Sequence, residues 1–380
     1  MGTELYVLRA CLNDDAADLI AVGMDHSVVV LRQTSLGFET VASFHVGSRV
    51  TAIAWSPASV SSSKAEDWSI ELIAGTSDYG LHILTKPATK DARVFDFGGG
   101  LSGHHGKIND ITYCGGETAD STKYVATVSD DKTLMVWDLN PSIHIPPKAT
   151  TAAALFSTPS LERHPPVSYA VLFPLPLTTV CAHPSTSKEF LVSDCHGTVY
   201  ITDWRSDRAA VPDIVDESLS WHQGNLLELV DPSTMLSASA GNSLVRQGNA
   251  AWRRDNPDLI GAVNGSRWAV WNVAKLQGCK PFLSGTTLSP QSNRFRWCHT
   301  FPEYFAISSS APEGATICVY QLNYVQAQPD ALDVTCPAQP FMLSRKPHFV
   351  ADFDWMATKG IPRIAVAVGR QIKIFRIGDA

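Results

Sequence analysis

Seven segments of this chain share one pattern: a run of alternating apolar residues, a turn rich in Gly, Asp or Asn, and a second alternating run. They are DLIAVGMDHSVVVLRQ (18–33), IELIAGTSDYGLHILTK (70–86), YVATVSDDKTLMVWDLN (124–140), EFLVSDCHGTVYITDW (189–204), LIGAVNGSRWAVWNVA (259–274), YFAISSSAPEGATICVYQLN (304–323) and RIAVAVGRQIKIFRIG (363–378). Each predicts a β-hairpin. Aligned on the second strand, one position is filled in turn by Leu31, Leu84, Trp137, Thr202, Trp271, Tyr320 and Phe375. Successive differences between these positions are 53, 53, 65, 69, 49 and 55 residues. A repeat of this length means one supersecondary unit that cannot bury both faces alone, stacked on copies of itself.

A further strand precedes most hairpins: RVTAIAWSP (49–57), KINDITYC (107–114), LTTVCAHP (177–184), NAAWRRDNP (249–257), RFRWCHT (294–300) and VADFDWM (350–356). ARVFDF (92–97) and SYAVLF (168–173) read as fourth, outer strands, and LYVLRACL (5–12) as the innermost strand of the first unit. Four short antiparallel strands repeated seven times predict an all-β fold, a single seven-bladed WD-repeat β-propeller with loop insertions, although the spacing exceeds the ~40–45 residues typical of WD repeats. The expected blades are residues 5–44, 49–97, 107–173, 177–218, 244–284, 292–343 and 348–378, with insertions at 141–166 and 205–248. With LYVLRACL used in blade 1, the last blade is expected to have three strands, its edge either exposed or filled by a partner strand.

The third unit carries the side chains of a buried hydrogen-bonded tetrad: His104, Ser129, Asp131 and Trp137. A carboxylate accepting from imidazole, an imidazole meeting a hydroxyl and an indole N–H finding an acceptor make a set that holds polar groups in a core. A hydrolase triad from His104, Asp131 and Ser129 is disfavoured, because the hydroxyl is expected to be buried and no strained nucleophile elbow or oxyanion loop is visible. Walker A, GxSxG, HExxH and CxxC signatures are all absent. The other blades have lost the tetrad, and three turns carry glycine instead (Gly265, Gly314 and Gly369).

Net charge is −7 and the pI near 5.9, which excludes bulk phosphate binding as the main activity. The mixed cation–aromatic stretches Trp252-Arg253-Arg254 and Arg294-Phe295-Arg296-Trp297 read as strands with alternating core and surface faces rather than base-stacking platforms. The eight cysteines include no CxxC pair, several lie in apolar runs, and no signal peptide or ~18-residue apolar run is present, which predicts a soluble intracellular protein with reduced thiols. No cofactor, metal, small-molecule substrate, direct nucleic-acid contact or membrane insertion is expected. The channel-side strands supply Asp110, Asp352, Asp354, His183 and His299, but not in one layer as a metal site requires.

The 141–166 insertion is Pro, Ser and Thr rich and reads as a surface loop. The 205–248 stretch is different: Trp221, Leu226, Leu227, Leu229 and Met235 are too apolar for an idle solvated loop and form the candidate partner-binding set. Thr202-Asp203-Trp204-Arg205 keeps Asp and Arg of the W/Y-D-x-R motif that marks substrate receptors of cullin–RING ubiquitin ligases, but lacks the aromatic; this is the alternative function.

FHVGSRVTAIAWSP, GHHGKINDITY with VATVSDDKTLMVWDLN, TTVCAHP with GTVYITD, IGAVNGSRWAVWNV, and RFRW with FAIS occur in an order that resembles the WD-repeat nucleoporin thirty-seven family over nearly the whole chain. The most specific of these are FHVGSRVTAIAWSP, VCAHP and the Trp268/Trp271 spacing. The insertions depart from the vertebrate pattern and suggest a fungal-type member. The resemblance implies a non-enzymatic scaffold at the nuclear envelope, in the outer-ring Y-complex of the nuclear pore. Its implied partners are the large propeller–solenoid nucleoporin of the short arm and other outer-ring nucleoporins. It supplies no catalytic residues.

Overall fold

The computed structural model describes residues 2–35, 37–141, 164–205, 226–234, 248–287, 292–311, 314–323, 339–345 and 348–378. They form seven antiparallel sheets. Blade 1 contains β1 (Val7–Ala10), β2 (Leu19–Gly23), β3 (Ser27–Thr34) and β4 (Gly37–His45); blade 2 contains β5 (Val50–Trp55), β6 (Ser69–Thr76), β7 (Leu81–Pro87) and β8 (Arg93–Phe97). Blade 3 contains β9 (Ile108–Tyr113), β10 (Tyr124–Ser129), β11 (Thr133–Asp138) and β12 (Val167–Leu172); blade 4 contains β13 (Leu177–Ala182), β14 (Glu189–Asp194), β15 (Val199–Asp203) and β16 (Leu226–Leu229). Blade 5 contains β17 (Asn249–Trp252), β18 (Leu259–Asn264), β19 (Arg267–Asn272) and β20 (Leu283–Thr286); blade 6 contains β21 (Ser292–Trp297), β22 (Tyr304–Ala311), β23 (Gly314–Gln321) and β24 (Gln339–Arg345). Blade 7 has β25 (Val350–Trp355), β26 (Arg363–Val368) and β27 (Gln371–Arg376). The first strands of successive blades adjoin one another, β25 returning to β1, so the sheets close into a seven-bladed propeller.

The hairpins form where the alternating runs predict them because both faces of a blade's middle strands are covered by neighbouring blades. β2 and β18 are buried at every residue, whereas the outer strand β12 exposes Tyr169 and Leu172. Between blades 5 and 6, Trp268, Phe295, Trp297, Phe305 and Tyr320 fill one core, with Phe305 and Tyr320 stacked at 4.9 Å. Gly261 makes this packing possible: a Cβ there would lie 2.1 Å from the Phe295 ring. In the tight turn after β26, Gly369 sits at φ +56°, a left-handed conformation that glycine adopts without a Cβ penalty.

Two features differ from the sequence reading. β16, the outer strand of blade 4, lies inside the 205–248 stretch read as an insertion and beyond the expected blade limit of 218. Its Leu226-Leu227-Glu228-Leu229 alternation is too short to register as a strand without the pairing to β15. The outer strands β4, β20 and β24 also exist in segments that carry weak alternation. Among the described residues blade 7 has three strands, and none of them pairs with the outer side of β27.

Side chains on the first strands bind the blades to each other. Asp110 Oδ2 accepts from the Val180 N–H, Thr179 Oγ1 from Ala250 and Asn249 Oδ1 from Phe295, linking blades 3 to 4, 4 to 5 and 5 to 6. Indoles run the other way: Trp55 donates to the Arg9 carbonyl, Trp297 to Ala251 and Trp355 to Arg296. Between blades 7 and 1, which share no sheet, Asp352 Oδ2 accepts from the Leu8 N–H and Asp354 Oδ2 from Ala10, each at 3.1 Å, and Arg9 pairs with Asp352.

Candidate functional site

The blade 3 network assembles from the connection before β9 and from β10 and β11. Asp131 Oδ2 lies 2.9 Å from His104 Nδ1, His104 Nε2 lies 2.8 Å from Thr127 Oγ1, and the Trp137 indole donates to that same oxygen at 2.9 Å. The hydroxyl of the tetrad is thus Thr127, a correction to the expected Ser129. The β9–β10 ladder shifts register between Val128 and Ser129, and Ser129 turns to the hairpin, where its Oγ accepts from the Asp131 N–H at 3.2 Å. With Nδ1–H donated to the carboxylate, Nε2 accepts from Thr127, whose oxygen accepts from Trp137. The ring nitrogens of His104, the Thr127 hydroxyl and the Trp137 indole N–H are thus all paired. Burial opposes ionisation of Asp131, but hydrogen bonds from His104 and Thr133 outweigh it and hold the carboxyl well below its usual range. Ser129 has no contact with His104 that would make it a nucleophile.

Blades 2 and 4 carry polar networks that the sequence reading missed. In blade 2, Thr76 Oγ1 lies 3.1 Å from His82 Nε2, and His82 Nδ1 lies 2.6 Å from Asp96 Oδ1. In blade 4, Asp194 accepts from the N–H groups of His196 and Thr198 and from the Tyr200 hydroxyl. The blade 2 network draws its acid from the outer strand β8, whereas the blade 4 network is local to residues 194–200 around one turn. Thr202 stands where blade 4 was expected to show an aromatic. Trp204, two residues on, packs on Tyr124 and Tyr169 across the blade 3 boundary.

Along the channel, Arg9 lies between Asp352 and Asp110, and Arg294 Nε is 3.5 Å from Asp352. Burial raises the Asp352 carboxyl, but Arg9, Arg294 and Arg296 more than reverse this and keep it low; burial pushes Asp354 up to about 6 against Arg296 and Arg9. These carboxylates are engaged by backbone N–H groups and arginines. Among the described residues no group of three or more His, Cys, Asp or Glu side chains is placed to hold a metal ion. At the ends of the first strands the channel widens into a cavity of about 340 Å³, lined by Trp55, Tyr113, Trp252, Arg254 and Trp297 among others. His299 is held neutral there: burial, then Arg254 and Arg296, push it down to about 3. His183 Nδ1 accepts from the Ser185 and Thr186 N–H groups, and its ring packs edge-on against Trp252. Cys11, Cys114, Cys298 and Cys318 are buried, and burial raises Cys11 and Cys114 to about 12. Among the described residues no helix is long and apolar enough to cross a membrane.

Of the candidate partner-binding residues, Leu226, Leu227 and Leu229 lie on β16. Leu229 is buried, Leu227 packs against the blade 4–blade 5 core, and Leu226 is 41% exposed. Trp221 and Met235 lie outside the described residues. In the Thr202-Asp203-Trp204-Arg205 segment, Arg205 pairs with Asp120 at 2.9 Å and its guanidinium lies over the rings of Trp204 and Tyr124. Asp203 accepts from the Arg205 N–H.

No protein-family model matches this chain. It is similar to the mouse (Mus musculus) protein Nucleoporin Nup37, with 24% identity over 301 residues that cover 77% of this chain and 73% of the mouse protein. It is likewise similar to human Nucleoporin Nup37, with 24% identity over 272 residues, covering 69% of this chain and 65% of the human protein.

Proposed function

We propose that this protein is a non-enzymatic scaffold subunit of the nuclear pore complex, resident at the nuclear envelope. In this reading it belongs to the outer-ring Y-complex and docks through its propeller surface onto the large propeller–solenoid nucleoporin of the short arm. The observation that carries the reading is the similarity to proteins named Nucleoporin Nup37 over 77% and 69% of the chain. The chemistry of the fold agrees with it: the channel carboxylates hold neighbouring blades together and the blade 3 imidazole is enclosed within its own blade, rather than facing a substrate.

We place docking at the surface around β16, where Leu226 is solvent-exposed and Trp221 and Met235 complete the set expected from the sequence. Leu226→Glu puts a charge on that surface and leaves the buried Leu229 in place. Purification of the tagged protein at endogenous level from its native cells, read by mass spectrometry, tests the assignment. Stoichiometric outer-ring nucleoporins support it. A cullin adaptor without nucleoporins overturns it in favour of a ligase receptor. Retention of the same nucleoporins by Leu226→Glu, at unchanged stoichiometry, moves the docking surface elsewhere on the propeller.

A further inference from the structure

The cavity at the ends of the first strands is walled by residues of every blade, from Arg9 on β1 to Asp354 on β25. At about 340 Å³ it falls in the range of small-molecule sites, about 300–1,000 Å³. Trp55, Tyr113, Trp252 and Trp297 give it aromatic walls. It lies on the innermost strands, apart from the outer strand β16, so what it holds does not depend on the docking surface assigned above.

The charged lining is three arginines, Arg9, Arg254 and Arg296, against two acids, Asp110 and Asp354. Both acids are engaged. Asp110 pairs with Arg9 and accepts from the Val180 and Ile111 N–H groups, and Asp354 accepts from those of Ala10 and Trp355. Arg9 is matched by Asp110 and Asp352. The other two arginines are held by neutral oxygens. Arg254 Nη1 donates to the Leu12 carbonyl at 3.1 Å, and Arg296 Nη1 donates to the Asn249 side chain at 3.1 Å and to the Phe295 carbonyl at 3.2 Å. No carboxylate among the described residues forms an ion pair with either. Burial and repulsion by Arg9 lower the Arg296 guanidinium from its usual range, and the more distant Asp352 and Asp354 only partly offset this. A buried cation without a direct counter-ion is costly, and an anion in the cavity would supply one.

Two further groups of this wall lack partners. Trp252 is 4% exposed and its Nε1 is buried without an acceptor, and His299 Nδ1 is likewise unpaired. Buried polar groups are normally paired. An indole N–H can only donate, so the partner that Trp252 lacks is an acceptor. Trp252 and Arg296 end the first strands of blades 5 and 6, and Arg254 and His299 follow them directly. The unmatched donors thus gather on one sector of the channel, close enough together that Arg254 and Arg296 both oppose protonation of His299.

We propose that this sector of the channel cavity binds a small organic oxyanion, a carboxylate or phosphate carried on a flat apolar body, with Arg254 and Arg296 as the cationic clamp and the aromatic walls around the body. The guanidinium fork matches either group in bidentate geometry. A neutral molecule of the same shape would leave both arginines without a counter-ion.

Calorimetric titration of the full-length protein with benzoate, with phenyl phosphate and with neutral benzyl alcohol tests this. The expected result is one site per chain for the anions, with benzyl alcohol weaker by about tenfold or more, the contribution of a hydrogen bond to a charged group. The tighter of the two anions identifies the acidic group. Arg254→Gln, at an exposed side chain, weakens anion binding by about tenfold. Arg296→Met, with an unchanged circular dichroism spectrum, does the same independently. No binding of either anion at millimolar concentration overturns the proposal. So does benzyl alcohol binding as tightly as the anions, more than one equivalent site per chain, or unchanged anion affinity in either folded variant.

Discussion

Asp352→Ala is the substitution with which the ring-closure account stands or falls. Blades 7 and 1 share no sheet, and the Asp352 carboxylate joins them through the Leu8 N–H at 3.1 Å and through Arg9, with Arg294 at 3.5 Å. The side chain is completely buried. Truncation leaves the buried Leu8 N–H without its acceptor, a loss of about 1–3 kcal/mol. It also leaves the Arg9 guanidinium with Asp110 at 3.3 Å as its remaining carboxylate partner, beside the Leu8 carbonyl at 3.0 Å. Breaking a buried pair by removing one member costs about 3–5 kcal/mol, and the two effects overlap rather than add. Against a typical stability of about 5–15 kcal/mol, that is a large share of what holds the propeller closed. Urea unfolding of Asp352→Ala, Arg9→Met and the double variant measures it. The double variant should be less destabilised than the sum, with a coupling of about 1–3 kcal/mol. Hydrogen exchange should accelerate first in β1 and β25 while β9 and β13 keep their protection. A loss below about 1 kcal/mol, or zero coupling to Arg9, would refute the clasp as the closing device.

Thr127→Ala should cost about 1–3 kcal/mol, because it strips a partner from His104 Nε2 and the Trp137 N–H, and Ser129→Ala clearly less; thermal denaturation of the pair distinguishes them. Trp137→Ala should cost about 3–5 kcal/mol as a buried aromatic truncation, with partner affinity unchanged in the fraction that stays folded. Two buried groups give opposing pH slopes. Asp354, raised to about 6, makes stability fall as pH rises from about 4 to 6, whereas His299, lowered to about 3, makes it fall as pH drops from about 6.5 towards 3. His299→Gln should therefore unmask a stability that declines with rising pH in denaturant titrations between pH 4 and 6. Below pH 4, protonation of Asp131 and Asp352, both held low in the fold, removes stability in either protein. Arg205→Ala should change stability by less than about 1 kcal/mol and leave nucleoporin recovery intact, since its pair with Asp120 is partly exposed.

The hairpins were legible because their signal is local. Alternation on both sides of a Gly or Asp turn marks β10 with β11 or β26 with β27 whatever the rest of the chain does. The outer strands were not: Leu226–Leu229 and Gln339–Arg345 follow long connections, and their strand character comes from the ladder they join. The choice of Ser129 over Thr127 shows a different limit. Both lie on one face of β10, and only the register shift between Val128 and Ser129 decides which hydroxyl meets the imidazole. Asp110, Asp352 and Asp354 were recognisable as channel residues, but their roles depend on backbone N–H groups of the neighbouring blade, hundreds of residues away for Leu8 and Asp352. The blade 2 network of Thr76, His82 and Asp96 escaped for the same reason, since the acid comes from β8 rather than from the turn.

The most direct test of the scaffold assignment is reconstitution: the purified full-length chain mixed with the purified propeller–solenoid nucleoporin of the short arm from the same cells, with mass read by light scattering during size-exclusion chromatography. The account predicts a stable one-to-one complex that Leu226→Glu weakens by about tenfold or more and that Trp137→Ala, kept below its melting temperature, does not. Separate elution of the two proteins at micromolar concentration would contradict it.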